Sequence, residues 1–198
     1  MTQVKFCGLR RPEDISCANS LKPDYIGFVF APKSKRYVNP QRAAELKKAL
    51  EPEIKAVGVF VNEDISLIVS LLKEGIIDMA QLHGSEDEAY IRQLKEKTSA
   101  PIIKAFKIRA KEDAQKAESS PADLILLDSG EGSGKTFNWE FLKGVKRDYF
   151  LAGGLDADNV SEAVRLLDPF AVDVSSGIET GGFKDRAKME KFMAAVRG

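Results

Sequence analysis

The run Val4-Lys5-Phe6-Cys7-Gly8-Leu9-Arg10-Arg11-Pro12 decides how this chain is read. Its first residues suit a short buried strand, a glycine ends the run, and Pro12 falls in the first turn of a helix. Proline is tolerated there because that N–H has no helical partner. The next strand-like run, Tyr25–Phe30, follows after one helix length. Strand, glycine, helix and strand make one βα unit of about 20–30 residues.

The unit recurs along the whole chain. Strands are expected at Val4–Gly8, Tyr25–Phe30, Ile54–Val61, Met79–Gly84, Pro101–Ile108, Ala122–Asp128, Asp148–Gly153 and Ala171–Ser175. Most are apolar on both faces, as fully buried parallel strands are. Helix starts fall between them. Asn39-Pro40 opens the second helix and Asn62-Glu63-Asp64 the third, while Ser85 with Glu88 matches a capping box for the fourth. Asp156 and Asn159 start the seventh helix, and Asp185 through Val196 makes the last. Eight units predict an α/β fold, a closed (β/α)8 barrel with its chemistry at the strand C-termini. A doubly wound open sheet also alternates β and α, but eight evenly spaced units without a long insertion favour closure. Such barrels typically need ~250 residues. At 198 residues the loops must be lean, with the fifth helix, around Glu112–Ala117, reduced. Residues 1–198 read as one domain.

Bulk composition narrows the partners. Thirty basic and thirty acidic residues cancel, and no basic stripe or acidic tail appears, so neither nucleic acid nor an anionic membrane is an expected partner. No apolar run approaches the ~20 residues of a membrane helix. The chain enters its first strand without a signal-peptide pattern, so a cytoplasmic location is expected. Two cysteines make no disulfide framework, and a single histidine excludes a His-rich metal site.

If the barrel closes, one mouth carries Cys7-Gly8, Phe30, Val61-Asn62, His83-Gly84, Lys107, Asp128, Gly153-Gly154 and Ser175-Ser176-Gly177. The two small-residue turns follow strands seven and eight, the usual barrel phosphate site. Small residues let backbone N–H groups approach an anion. The stretch Ser129-Gly130-Glu131-Gly132-Ser133-Gly134-Lys135-Thr136 nearly spells a phosphate-binding loop of the P-loop type. Ser129 replaces its first glycine, however, and an aromatic segment follows where a helix should run. It reads better as a glycine-rich lid. Asp128 ends an apolar strand, where partial desolvation raises a carboxyl pKa toward that of a useful acid, although a capping role is the plainer alternative. Cys7 has the alternative of a small hydrophobe, as expected for Cys17. Lys5 lies two residues away on the same strand face, and a nearby cation is expected to lower the thiol pKa. A base on strand one and an acid on strand six suit an isomerisation that takes a proton from carbon and gives one to oxygen. Arg36 can grip a carboxylate bidentately or be a solvated charge. His83 contacts substrate or satisfies a polar core position. Asp173 shares a face with Ser175 and points toward the mouth.

Together these residues resemble the phosphoribosylanthranilate isomerases. The resemblance runs from Lys5-Phe6-Cys7-Gly8 to Lys184-Asp185, through Gly27-Phe28-Val29-Phe30, Ser34-Lys35-Arg36, Gln81-Leu82-His83-Gly84, Leu127-Asp128, Leu151-Ala152-Gly153-Gly154-Leu155 and Asp173-Val174-Ser175-Ser176-Gly177-Ile178-Glu179. It implies a single TIM barrel and an Amadori rearrangement. N-(5-phosphoribosyl)anthranilate becomes 1-(o-carboxyphenylamino)-1-deoxyribulose 5-phosphate, in tryptophan biosynthesis, with no cofactor or metal. Asp128 matches the general acid that opens the ring and Cys7 the base that takes the sugar C2 proton. Arg36 matches the residue holding the anthranilate carboxylate. Gly153, Gly154, Ser175, Ser176 and Gly177 match the phosphate cradle, and His83 and Asp173 join the substrate-binding set. The loop after Asp128 is shorter than in many members. The only partner expected is this phosphosugar, bound by a monomer, with a dimer as the alternative. Triosephosphate isomerase chemistry would need a glutamate base after strand six. A non-catalytic phosphate-binding barrel would need neither Cys7 nor Asp128, and a P-loop kinase is opposed by Ser129.

Overall fold

Strands form where the apolar runs are bounded by glycine or polar turns. They are β1 (Gln3–Cys7), β2 (Tyr25–Val29), β3 (Lys55–Phe60), β4 (Met79–Leu82), β5 (Ile102–Lys107), β6 (Leu124–Asp128), β7 (Tyr149–Ala152) and β8 (Ala171–Val174). In the computed structural model, which describes residues 1–128 and 139–198, each strand pairs in parallel with the next. β8 returns to β1 with Lys5 opposite Asp173. The barrel is therefore closed, and no sheet edge is left within it.

Successive residues alternate between two layers. Val4, Phe6, Ile26, Phe28 and Phe60 are fully buried in the large cluster that also holds the helix residues Ile68, Leu94 and Phe192. Each such side chain contributes roughly 1.5–3 kcal/mol on burial. The alternate positions, Val57, Met79, Ile103, Leu126, Phe150 and Ala171, form a separate cluster inside the barrel. Cys7, Val29 and Val59 make a third, smaller group, two residues nearer the C-terminal mouth than Lys5, Gly27 and Val57 on the same faces.

The helices are α1 (Pro12–Leu21), α2 (Pro40–Lys48), α3 (Ile65–Lys73), α4 (Glu88–Lys97), α5 (Lys111–Glu118), α6 (Val160–Leu167) and α7 (Arg186–Arg197). Among the described residues there are thus seven α-helices rather than eight. Of the connection from β6 to β7, the described residues, from Trp139 on, hold a 3-10 turn, Trp139–Leu142. The fifth helix, expected to be reduced, spans eight residues and is, with α6, the shortest α-helix among the described residues. The expected lid residues, 129–136, lie outside the described residues.

Asn39 and Asp185 cap α2 and α7 by accepting from the backbone N–H groups of Arg42 and Lys188. The fourth helix departs from expectation. Its cap is Asp87, which accepts from the Tyr90 N–H. Ser85 is taken up by Asn62, whose Oδ1 receives both the Ser85 N–H and its hydroxyl. The Asn62 backbone adopts φ 51° in the loop that precedes α3, and the α3 cap position is Asp64. Beside this pair, the buried Glu86 carboxylate accepts the N–H groups of Asn62 and Gly84 at 2.7 and 2.9 Å and pairs with Lys104 at 2.8 Å. The loops after β3 and β4 are thereby locked together next to His83.

Candidate active site

The strand C-termini surround a cavity of about 460 Å3, a size typical of small-molecule sites. Cys7, Arg36, His83, Asp128, Gly153, Gly154, Asp173, Ser175 and Ser176 all line it. Gly177 is not on its wall. A Cβ on Gly177 would run into the Leu155 carbonyl, so its small size lets the turns after β7 and β8 approach each other. Gly153 and Gly154 adopt φ 94° and 65°, which a residue with a Cβ rarely does. Val29, Ala31 and Val59, which sequence reasoning did not single out, join the expected mouth residue Val61 in an apolar wall.

Cys7 is a free, buried thiol. A Cβ placed on Gly27 of the neighbouring strand would lie 2.8 Å from its sulfur, so glycine there makes room for the thiol. Lys5 does point into the barrel and is fully buried. Its ammonium donates to Gln81 Oε1 at 2.8 Å and to Asp173 Oδ2 at 2.9 Å. It does not, however, bring the thiol below its ordinary range. Burial pushes the Cys7 pKa up and outweighs the pull of Lys5 and Lys184, and the Asp173 carboxylate adds to the rise. For Lys5 the balance runs the other way. Burial alone would lower its pKa, but Asp173 and Cys7 together raise it, so the ammonium is retained. The other Asp173 oxygen, Oδ1, is buried without a hydrogen-bond partner among the described residues.

On β4, Gln81 Nε2 lies 3.0 Å from His83 Nδ1, and His83 Nε2 lies 3.5 Å from Asp128 Oδ2. His83 therefore has both a polar core partner and a place on the cavity wall. Period-two alternation puts Gln81 and His83 on one face, but nothing in the sequence marks the glutamine as more than a polar interruption.

Arg36 reaches the cavity over Gly8, whose φ of 82° and missing Cβ make space for the Arg36 stem. Its guanidinium is gripped by Glu179 through two bonds of 2.7 Å, from Nε and Nη2. The same carboxylate accepts from Lys184 at 2.7 Å, and Lys184 also donates to the Ser175 carbonyl at 2.9 Å. Ser175 Oγ in turn donates to the Cys7 carbonyl at 3.1 Å. Glu179 and Lys184 face each other across a small hairpin, β9 (Glu179–Thr180) with β10 (Phe183–Lys184), closed by Gly181 and Gly182. A Gly-Gly pair between two short runs is a hairpin signal and would have located this strap.

Burial alone would raise the Glu179 pKa, but Arg36 and Lys184 bring it down to about 2. A carboxyl depressed in the folded state adds stability above its unfolded pKa, and that stability disappears as pH falls through the folded one. The window here runs from about pH 4.5 down to about pH 2 and is worth roughly 2–3 kcal/mol. Urea denaturation should therefore show wild-type protein losing that much between pH 5 and about pH 2. Glu179→Gln should be less stable at pH 7 and flatter over the same range. Equal acid slopes for the two proteins would place the effect on other carboxyls.

A family model described as N-(5'-phosphoribosyl)anthranilate (PRA) isomerase matches residues 4–195. The N-(5'-phosphoribosyl)anthranilate isomerase of Thermoanaerobacter sp. (strain X514) is 47% identical over 205 residues, an alignment spanning 100% of this chain and 99% of that protein. Among solved structures, phosphoribosyl anthranilate isomerase from Thermotoga maritima superposes with a TM-score of 0.91 at 37% identity, covering all of both chains. A phosphoribosyl anthranilate isomerase in complex with reduced 1-(o-carboxyphenylamino)-1-deoxyribulose 5-phosphate superposes equally completely, with a TM-score of 0.90 at 36% identity.

Proposed function

This chain belongs to the N-(5'-phosphoribosyl)anthranilate isomerase family, and from that premise we propose how its residues divide the reaction. The chain is the isomerase of tryptophan biosynthesis that converts N-(5'-phosphoribosyl)anthranilate into 1-(o-carboxyphenylamino)-1-deoxyribulose 5-phosphate. One observation carries the assignment: a thiol and a carboxyl, Cys7 and Asp128, line a single cavity from the ends of two non-adjacent strands.

Asp128 donates a proton to the furanose ring oxygen. The C1–O bond breaks and the anthranilate nitrogen shares its electrons with C1, leaving an iminium. The Cys7 thiolate then takes the C2 proton. The electrons of that C–H bond form C1=C2 and neutralise the iminium, giving an enolamine. Its C2 hydroxyl proton is lost as C1 gains one, and the ketone results. A thiol held above its ordinary pKa is a stronger base once ionised, and Lys5 and Lys184 are the charges that favour ionisation.

The cavity supports one orientation of the substrate. The small-residue turns at Gly153-Gly154 and Ser175-Ser176 suit the phosphate, which backbone N–H groups recognise well. Glu179 occupies one edge of the Arg36 guanidinium, so the anthranilate carboxylate meets its remaining N–H groups. Val29 and Val59 offer the aromatic ring an apolar wall. Asp173 Oδ1, without a partner among the described residues, is an acceptor for a sugar hydroxyl. As the working form we propose a cytoplasmic monomer, in keeping with two free cysteines. Sedimentation of the purified chain at the mass of two copies would contradict the monomer.

Single-turnover measurement with freshly made phosphoribosylanthranilate tests the assignment, because the fluorescence of the anthranilate group changes as the substrate rearranges. Wild-type protein should convert the substrate in full. Tight binding without conversion would mean that the cavity holds the ligand but lacks the chemistry.

A further inference from the structure

The barrel interior contains a hydrogen-bonded chain, Lys5 to Gln81 to His83, whose last two members the acid–base scheme does not use. It begins at Lys5, fully buried, whose ammonium can only donate. Lys5 Nζ donates to Gln81 Oε1 at 2.8 Å. That contact orients the Gln81 amide, because turning it over would set N–H2 against the ammonium. With Oε1 toward Lys5, the N–H2 group faces His83 Nδ1 at 3.0 Å. An amide N–H2 also only donates, so Nδ1 must accept. In neutral imidazole exactly one nitrogen carries hydrogen, which leaves it on Nε2, the nitrogen 3.5 Å from Asp128 Oδ2.

We propose that Gln81, held by the Lys5–Asp173 pair, is a positioning residue for the general acid: it fixes His83 as the Nε2–H tautomer, so that His83 presents a donor to Asp128. This rests on the acid role given to Asp128. The consequence concerns where the Asp128 proton goes. A donor at Nε2 favours the carboxyl oxygen facing His83 as an acceptor rather than as the atom that carries the proton. The same donor steadies the carboxylate once that proton has gone. The opposite tautomer would present a lone pair at Nε2 and draw the Asp128 proton away from the sugar. A separation of 3.5 Å is compatible with a bond that tightens when substrate fills the cavity.

The order of charges supports this reading. Lys5 is itself fixed by Asp173 Oδ2 at 2.9 Å, with the two residues in register across β1 and β8. The amide orientation is therefore set by a charged pair inside the barrel rather than by a mobile surface group. Gln81 is only 1% exposed, so water does not compete for its amide.

The chain has a single histidine, so 15N NMR of histidine-labelled protein reports His83 alone. The neutral ring of the wild type should show Nδ1 without hydrogen and Nε2 with it. Gln81→Glu keeps an acceptor for Lys5 but offers one to Nδ1 as well, and should place a proton on Nδ1. Gln81→Met should release the preference and give a mixture. In single turnover, Gln81→Glu should slow the chemical step at least tenfold while changing KM less than threefold. A wild-type ring protonated at Nδ1 alone, or an equal mixture, would overturn the inference without any variant. So would a moved proton in Gln81→Glu with an unchanged rate while Asp128→Asn is inactive. If instead Asp128→Asn turned over normally, the acid assignment would fail, and the inference that depends on it would fall too.

Discussion

Replacing Asp128 by Asn is expected to slow isomerisation by about 10²–10⁴-fold, or roughly 3–5 kcal/mol in barrier. The amide keeps the shape of the carboxyl and removes its transferable proton. Asp128 ends β6 at the cavity wall and is only half-buried, so the fold should be unaffected. The thermal midpoint should stay within a few degrees of wild type, and KM should move little, because the lost interaction is with a proton in flight rather than with the bound substrate. Turnover within threefold of wild type would remove Asp128 from the acid role. A large loss accompanied by unfolding would be settled by Asp128→Glu, which restores the proton and should recover part of the rate.

Cys7→Ser is the second large effect, also expected at about 10²–10⁴-fold. A serine hydroxyl in this position is a far weaker acid than a thiol, so the conjugate base is scarcely populated even beside Lys5 and Lys184. The substitution removes little volume from the small group Cys7 shares with Val29 and Val59, and the folded protein should persist. Burial already holds the thiol above its ordinary pKa, so even the wild-type thiolate depends on Lys5 and Lys184, and a serine in its place has no comparable base to offer. A serine variant at the wild-type rate would reduce Cys7 to packing between β1 and Gly27.

The fold was legible because periodicity is a local property. Eight apolar runs with glycine or polar ends, such as Val4–Gly8 and Ala122–Asp128, report burial directly. The helix expected after β6 falls partly on residues 129–138, outside the described residues, and the described part, from Trp139, holds a 3-10 turn. The fourth cap was misread because Ser85 and Asp87 are both good caps two residues apart. Only the tertiary contact with Asn62 decides between them. The site followed from the fold, since strand C-termini share one mouth, and nine of the ten candidate residues do line one cavity. What the sequence concealed was pairing at long range. The Arg36 contact with Glu179 spans 143 positions and that of Lys5 with Gln81 spans 76. The direction of the Cys7 pKa was hidden for the same reason. Lys5 was correctly placed, but the burial of the sulfur and the Asp173 charge beside Lys5 are properties of the closed barrel alone.

The division of labour between Cys7 and Asp128 predicts which step each variant makes slow. Substrate carrying deuterium at the ribose C2 distinguishes the two steps, because only the step assigned to Cys7 breaks that bond. In single turnover, Cys7→Ser should show a full primary isotope effect, as C2 proton removal becomes limiting. Asp128→Asn should show a ratio close to one, as ring opening limits instead. The reverse pattern, with the isotope effect in Asp128→Asn and none in Cys7→Ser, would contradict the assignment of base to Cys7 and acid to Asp128.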